Sequence, residues 1–399
     1  MKYENGIIAL EAKYDSTNAA KFQQDLLECI SNNADEIMKN EYVVLDARET
    51  EYISSAGLRV LLYIKKQGYN LKFINVSSKV YDIFDMTGFN KLFQINKKIK
   101  EMCFSDGWEE IGHGASSKVF RIASDLLLKV YDKKIPLWKI EREANNVRNA
   151  IVHGIPTYIG FEIVNINGID YGNYGLVIEL LDSEVFSNFL NRNPELFEEY
   201  AFKYLNMIRT IHNTEADDGF EDIEKLWHSW IDMLSPWLSE TEIEKLHYMV
   251  SLVPRCHTIV HSDMHVNNVI VSNNELLIID MADIGYGHPI FDIGPLCFHY
   301  HYMELADREM ADNLIIANHE VRTKLWKILM DEYLADENPE RHEALVKIYN
   351  CFGAMRCGII AAKHAQLPIE RKNVFISTMK KELFPQYDEI IALMKKHLF

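Results

Sequence analysis

The sequence predicts an α/β domain followed by an α+β domain. Three observations carry this reading. The first hundred residues alternate strand-like and helix-like runs. Short apolar strands recur between residues 108 and 280, and residues 295–399 are helical in period. Charge also changes along the chain. Residues 1–100 hold 14 Lys+Arg and 13 Asp+Glu, whereas the rest holds 28 and 46. At 399 residues the chain is long enough for two or three domains.

In the first domain, IIALEA (7–12) alternates as a strand does. Asp15, Ser16, Thr17 and Asn18 offer caps to AAKFQQDLLECI, which has helical period. YVVLDA (42–47) reads as a buried strand, SSAG (54–57) as a loop, and LRVLLYIKKQG as a helix ending at Gly68. LKFINV (71–76) is a third strand. Ser77 and Ser78 cap a last helix that Gly88 stops. This order implies a small α/β layer over residues 1–97, with a polar, lysine-rich linker at 98–107.

The runs YVVLDARETEYISSAGLRVLL and LKFINVSSKVYDIFDMTGFNKLFQI resemble the STAS domain of anti-sigma-factor antagonists. The resemblance implies a serine at the start of the helix after the second central strand that is phosphorylated and switches binding to an anti-sigma kinase. By position, Ser54 stands where that family has Asp, Ser55 matches its first Ser, and Ala56 replaces its second hydroxyl residue. Ser55 is thus the candidate acceptor, with Ser54 second. A serine at a helix start also serves as a plain cap, and both readings stand.

The second domain opens with WEEIGHGASSKVFRI (108–122), a strand–glycine loop–strand with Gly112 and Gly114. Such a loop lets backbone approach a phosphate, but Ser117 replaces a third glycine, and a plain hairpin reads the same way. Lys129 lies within the apolar strand LLLKVY (126–131), where an ammonium needs a partner or an edge reaching water. The helical run 140–154 supplies Glu141 and Glu143. YGLVIELLDS (174–183) reads as a strand entering a connector.

Then comes HSDMHVNN (261–268), set between the strands TIV and VIV, followed by the turn SNNE and the strand LLIID. This hairpin brings Asp263, Asn268 and Asp280 together. Phosphoryl transfer needs such a set: one carboxylate orients the attacking hydroxyl, while an Asn and an Asp hold Mg²⁺ on the phosphates. His261 and His265 have metal-ligand spacing for a helix, yet they sit between β-branched strands and lack an HExxH glutamate, which argues against zinc. His261 is expected to brace the loop through its ring.

The spacing His261, Asp263, His265, Asn268, with Asp280 and then Asp292 in FDIG, is similar to the aminoglycoside phosphotransferase and choline kinase group. The resemblance implies a bilobal protein-kinase-like fold, with an N-lobe and hinge at 108–181 and a C-lobe at 182–399. It implies Lys129 on the nucleotide phosphates, Glu143 as its anchor, and Glu179 to Leu181 as an adenine-gripping hinge. Asp263 is then the base, Asn268 and Asp280 the magnesium ligands, and His261, His265 and Asp292 supports. Ser262 replaces a glycine of the family pattern, a small-for-small change expected to be tolerated. Helices after residue 295 would form the acceptor pocket, with His299, His301, Tyr302 and Arg356 as candidates.

The implied activity is transfer from Mg·ATP to a small hydroxylated or amine-bearing molecule, under a regulatory STAS domain. The domain's acidity suits a cationic acceptor such as an aminoglycoside or choline. Alternatives are a regulatory kinase acting on a STAS or partner-protein serine, and a nucleotide-sensing binding module without catalysis. An anti-sigma factor or other protein is the expected partner of the STAS domain. The absence of a basic excess argues against nucleic acid. Scattered cysteines, no N-terminal signal pattern and no long uncharged apolar run fit a cytoplasmic protein without a membrane span.

Overall fold

A computed structural model describes residues 1–37, 41–114, 116–314, 319–364 and 367–398. Ala115 of the glycine loop, and Ile315 and Ala365 of the expected C-terminal helices, lie outside the described residues. The chain divides into two compact units, Met1–Met102 and Cys103–Phe399.

The first unit is a five-stranded sheet with three main helices. Strand order is Lys2–Glu4, Ile7–Ala9, Val43–Asp46, Leu71–Val76, Gln94–Lys97. The first pair is antiparallel, and the remaining neighbours are parallel. Asn5 and Gly6 both have positive φ, and this Asn-Gly turn makes the opening hairpin. Helices Ala19–Asn32, Ser55–Lys66 and Ser78–Met86 bury Phe22, Leu26, Leu61, Ile64, Val80 and Phe84 in the unit's core. Gly68 and Gly88 follow the last two with φ of +95° and +74°.

A short parallel ladder, Lys13–Tyr14 with Tyr52–Ile53, fixes the start of helix Ser55–Lys66. The Ser54 N–H donates to Tyr14 O at 2.8 Å, and Ser54 Oγ accepts from the Ala56 N–H at 3.2 Å. Gly57 allows the close approach here. A Cβ on it would lie 2.8 Å from Ile53 Cγ1 and 3.2 Å from Tyr14 O. Strand Lys100–Cys103 spans the boundary between the units, so part of the expected linker is extended β structure.

In the second unit an antiparallel sheet runs Gly160–Asn167, Tyr174–Glu179, Leu126–Tyr131, Ser117–Arg121, Glu109–His113. Helix Leu137–Val152 packs on this sheet and buries Ile140, Glu143 and Val147. Asn146 Nδ2 donates to Met281 O at 2.9 Å, which ties that helix to the turn after Asp280.

A second sheet joins Ser183–Val185, Val269–Ser272 and Glu275–Ile278. Asn273 and Asn274 both have positive φ in its hairpin turn. A small third sheet joins Glu221–Asp222, Gly285–Tyr286 and Ile259–Val260, and most of the remainder of the unit is helical. Helix Pro339–Lys363 is long and apolar enough, by length and composition, to cross a membrane. It is a core helix here: most of its apolar stretch is buried, and it packs against Ile290–Cys297, Ile369–Leu383 and Tyr387–His397. Two glycines set the first crossing. A Cβ on Gly294 would lie 2.6 Å from Phe352 Cβ, and one on Gly353 3.0 Å from Gly294 O. This approach brings Arg356, one turn past Gly353, to the loop that carries Asp263.

Candidate active site

Lys129 lies on the central strand Leu126–Tyr131, and its ammonium points to helix Leu137–Val152. Its Nζ sits 2.6 Å from Glu143 Oε1 and 3.5 Å from Asp280 Oδ1. Burial alone would lower the pKa of this ammonium. Glu143, with Tyr131 and Asp280, outweighs burial and holds it well above the usual lysine value. Tyr158 Oη donates to Glu143 Oε1 at 3.4 Å. Removing Glu143 would leave this buried cation with the more distant Asp280 alone, at a cost of up to about 3–5 kcal/mol.

The loop 261–268 is fixed by its backbone. Asp292, fully buried, accepts from the His261 N–H at 2.9 Å and from the Ser262 N–H. His212 Nε2 lies 2.9 Å from the same carboxylate, and its Nδ1 lies 2.7 Å from Tyr333 Oη. The ring of His261 does not brace the loop as the sequence suggested. It is fully buried, and neither nitrogen has a hydrogen-bond partner among the described residues. Ser262 also departs from expectation. Its φ is +68°, a left-handed conformation in which glycine is unstrained and serine is not. The replacement therefore matters for backbone conformation rather than for size.

Asp263 is half-buried at the centre of a polar ring. Asn268 Nδ2 donates to Asp263 O at 2.9 Å and to Oδ2 at 3.3 Å. Arg356 Nη2 reaches Oδ1 at 3.3 Å, and His299 Nε2 is 3.5 Å from the same oxygen. His265 Nε2 is 3.8 Å from Oδ2. Burial would raise the pKa of Asp263, but His265, His299, Arg356 and Lys363 hold it well below the usual carboxylate range.

The two histidines differ in tautomer. His265 Nδ1 accepts from the Asn267 N–H, so its Nε2–H faces Asp263. His299 Nδ1 donates to Pro295 O at 2.8 Å, which leaves Nε2 with a lone pair beside Oδ1. Burial pushes His299 down to about 3, helped by His265, so the ring is neutral near pH 7. A lone pair and a carboxylate oxygen thus converge where a hydroxyl could donate. Asp263, His265 and His299 offer ligand atoms within 4.8 Å of one another. Arg356 already brings a cation to that carboxylate, which opposes a metal ion there.

Asn268 and Asp280 are linked through the Ile279 N–H, which donates to Asn268 O at 2.8 Å. With its Nδ2 on Asp263, Asn268 presents its carbonyl oxygen away from that residue. Asp280 has a φ of +62°, and its side chain is 49% exposed. These are hard oxygen donors, of the kind a magnesium ion takes.

At the glycine loop, the Gly114 N–H donates to Ser117 O at 2.8 Å, and a Cβ on Gly112 would sit 3.4 Å from Val119. At the connector, Glu179 N–H donates to Ile159 O and Leu180 N–H to Asp125 O. Glu179 Oε1 also accepts from the Ile159 N–H, so this side chain locks the connector.

Among the pocket candidates, His299 and Arg356 reach Asp263, whereas Tyr302 is core and His301 is exposed and packs on Tyr302. The sequence reading missed Lys363, Asp283, Trp230 and His212. Lys363 lies 2.6 Å from Asp283 Oδ2, and Arg142 reaches Asp283 at 3.4 Å. Lys363 is seven residues from Arg356, two helical turns, so the shared face was a signal open to the sequence. No such spacing marks Trp230 or His212.

Comparison with known proteins follows this division. The family described as "Phosphotransferase enzyme family" matches residues 107–327, and the STAS domain family matches residues 2–102. BtrV of Bordetella bronchiseptica, whose name describes an anti-sigma factor antagonist, is 33% identical over 94 residues, 22% of this chain and 75% of that protein. A choline/ethanolamine kinase family protein from Mesorhizobium loti is similar at 17% identity and a TM-score of 0.49, covering 73% of this chain and 94% of that one. The amicoumacin kinase hAmiN is similar at 15% identity and a TM-score of 0.49, covering 76% and 93%.

Proposed function

The chain belongs to the phosphotransferase enzyme family and carries a STAS domain, and from that premise we propose that it moves the γ-phosphoryl group of ATP to a hydroxyl of a small acceptor. The observation that carries this reading is the single cluster of Lys129, Glu143, Asp263, Asn268 and Asp280. Lys129, held by Glu143, is placed to pair with phosphate oxygens. The backbone at Gly112 and Gly114 would cover the phosphates. The N–H groups of Glu179 and Leu180 are engaged, and the N–H of Leu181, without a partner among the described residues, would read the base. Asn268 and Asp280 would hold magnesium, which when bound neutralises charge on the phosphates.

Asp263 receives the acceptor hydroxyl as a hydrogen-bond donor, opposite the lone pair of His299. The hydroxyl oxygen bonds to the γ-phosphorus as the bond to the β–γ bridging oxygen breaks, and ADP leaves with that electron pair. The hydroxyl proton passes toward Asp263. Because this carboxylate has a lowered pKa, its main contribution is to orient the hydroxyl rather than to store a proton. Asp263→Asn is expected to lower Mg·ATP-dependent turnover about a hundredfold or more while nucleotide binding persists. ADP release and a nucleotide titration check this, and turnover at the wild-type rate would sink it.

A second reading concerns regulation. Ser55 is exposed in the first turn of its helix, while the Ser54 side chain is already used as the cap. A phosphate on Ser55 would meet the positive end of that helix and change the charge offered to a partner such as an anti-sigma factor.

A further inference from the structure

The acceptor side of the site has a chemistry of its own. Arg356 and Lys363 lie on one face of helix Pro339–Lys363, where they share the Trp230 ring and Arg356 reaches Asp263. Arg356 is 2% exposed, yet only Nη2 has a partner, and Nε and Nη1 have none among the described residues. The Trp230 ring lies 5.2 Å from its Cζ and 3.8 Å from Lys363 Nζ. An aromatic face attracts both cations but offers no oxygen to the guanidinium fork. A buried guanidinium with unmatched donors suits an oxyanion, which can take two parallel N–H bonds.

Resting on the phosphotransfer reading above, we propose that the acceptor is a small hydroxylated anion whose carboxylate or phosphate group seats on Arg356 and Lys363, beside Asp263. The charges around the seat permit it. Asp263 is answered by His265 and Asn268 as well as by Arg356. Asp283 keeps Arg142 when Lys363 turns to a ligand. A cationic acceptor would meet two fixed cations here. The acidity of the whole domain is a poor guide to this spot, because net charge does not report local placement.

The test uses the full chain with Mg·ATP. ADP release is measured with glycerate, gluconate and glycerol phosphate, and beside them glycerol, choline and kanamycin. Binding of each probe is followed by calorimetry in the presence of Mg·AMP-PNP. At least one anion is expected to be bound and phosphorylated, and glycerol to show a KM about tenfold or more higher. Carboxylate and phosphate probes separate the two kinds of head group. Arg356→Gln and Lys363→Gln, each checked for folding by thermal melting, are expected to raise the KM for the anion about tenfold and to leave the KM for ATP in place. Binding of no anion, turnover confined to choline or kanamycin, or an equal KM effect on anion and glycerol overturns the anionic assignment and leaves phosphotransfer standing. Absence of both turnover and nucleotide binding overturns phosphotransfer itself.

Discussion

Ser262, fully buried, holds a left-handed backbone at φ +68°, with its hydroxyl unmatched among the described residues. The Asp292 carboxylate, drawing in the N–H groups of His261 and Ser262, keeps the backbone there. Ser262→Gly should relieve this strain and stabilise the unit by about 1 kcal/mol, the αL cost less the entropy of glycine, seen as a higher Tm. The histidines make a separate prediction. Burial holds His299 at about 3 and His288 at about 4, both below the usual 6.5. With folded values depressed, the unfolded chain takes up protons first as pH falls below about 6.5. Their stabilisation is complete above that pH and is lost toward the folded values. Each such buried group contributes a slope of about 1.4 kcal/mol per pH unit inside its window. Tm should therefore fall between pH 7 and 5, and His299→Gln should flatten the fall.

At the scale of the element, helix Ser55–Lys66 separates two neighbouring serines. Ser54 caps the helix, so Ser54→Ala should destabilise the first unit by about 1 kcal/mol. Ser55 is exposed, so Ser55→Ala should leave the melt unchanged and abolish any phosphate label on this unit. Melting and radiolabelled ATP check the two halves. Label retained on the unit in Ser55→Ala would remove that residue. The hairpin of Val269–Ser272 and Glu275–Ile278 shows the same division of labour. Its strands and its Asn273–Asn274 turn were legible from β-branched runs between turn residues. The opening Asn-Gly hairpin carried an equally plain signal that the sequence reading passed over.

At the scale of the molecule, each unit has its own buried core, Phe73 and Leu61 in one, Trp227 and Phe352 in the other. Residues 1–99 expressed alone should fold cooperatively, and residues 100–399 should still bind Mg·ATP, by melting and calorimetry respectively. The sequence by itself determined the two-part layout, the strands and helices around each loop, and the grouping of Asp263, Asn268 and Asp280. Those features depend on local period, caps and a hairpin, which act over a few residues. Only the tertiary structure decided what surrounds Asp263. Arg356 lies 93 residues away along the chain, and Asp292 binds a His212 that lies 80 residues before it. Such partners meet through helix crossings like that of Gly294 and Gly353, and no local pattern encodes which long-range crossing forms. The net charge suggested a cationic acceptor, whereas the folded site sets Arg356 against Asp263 and Lys363 against the neighbouring Asp283.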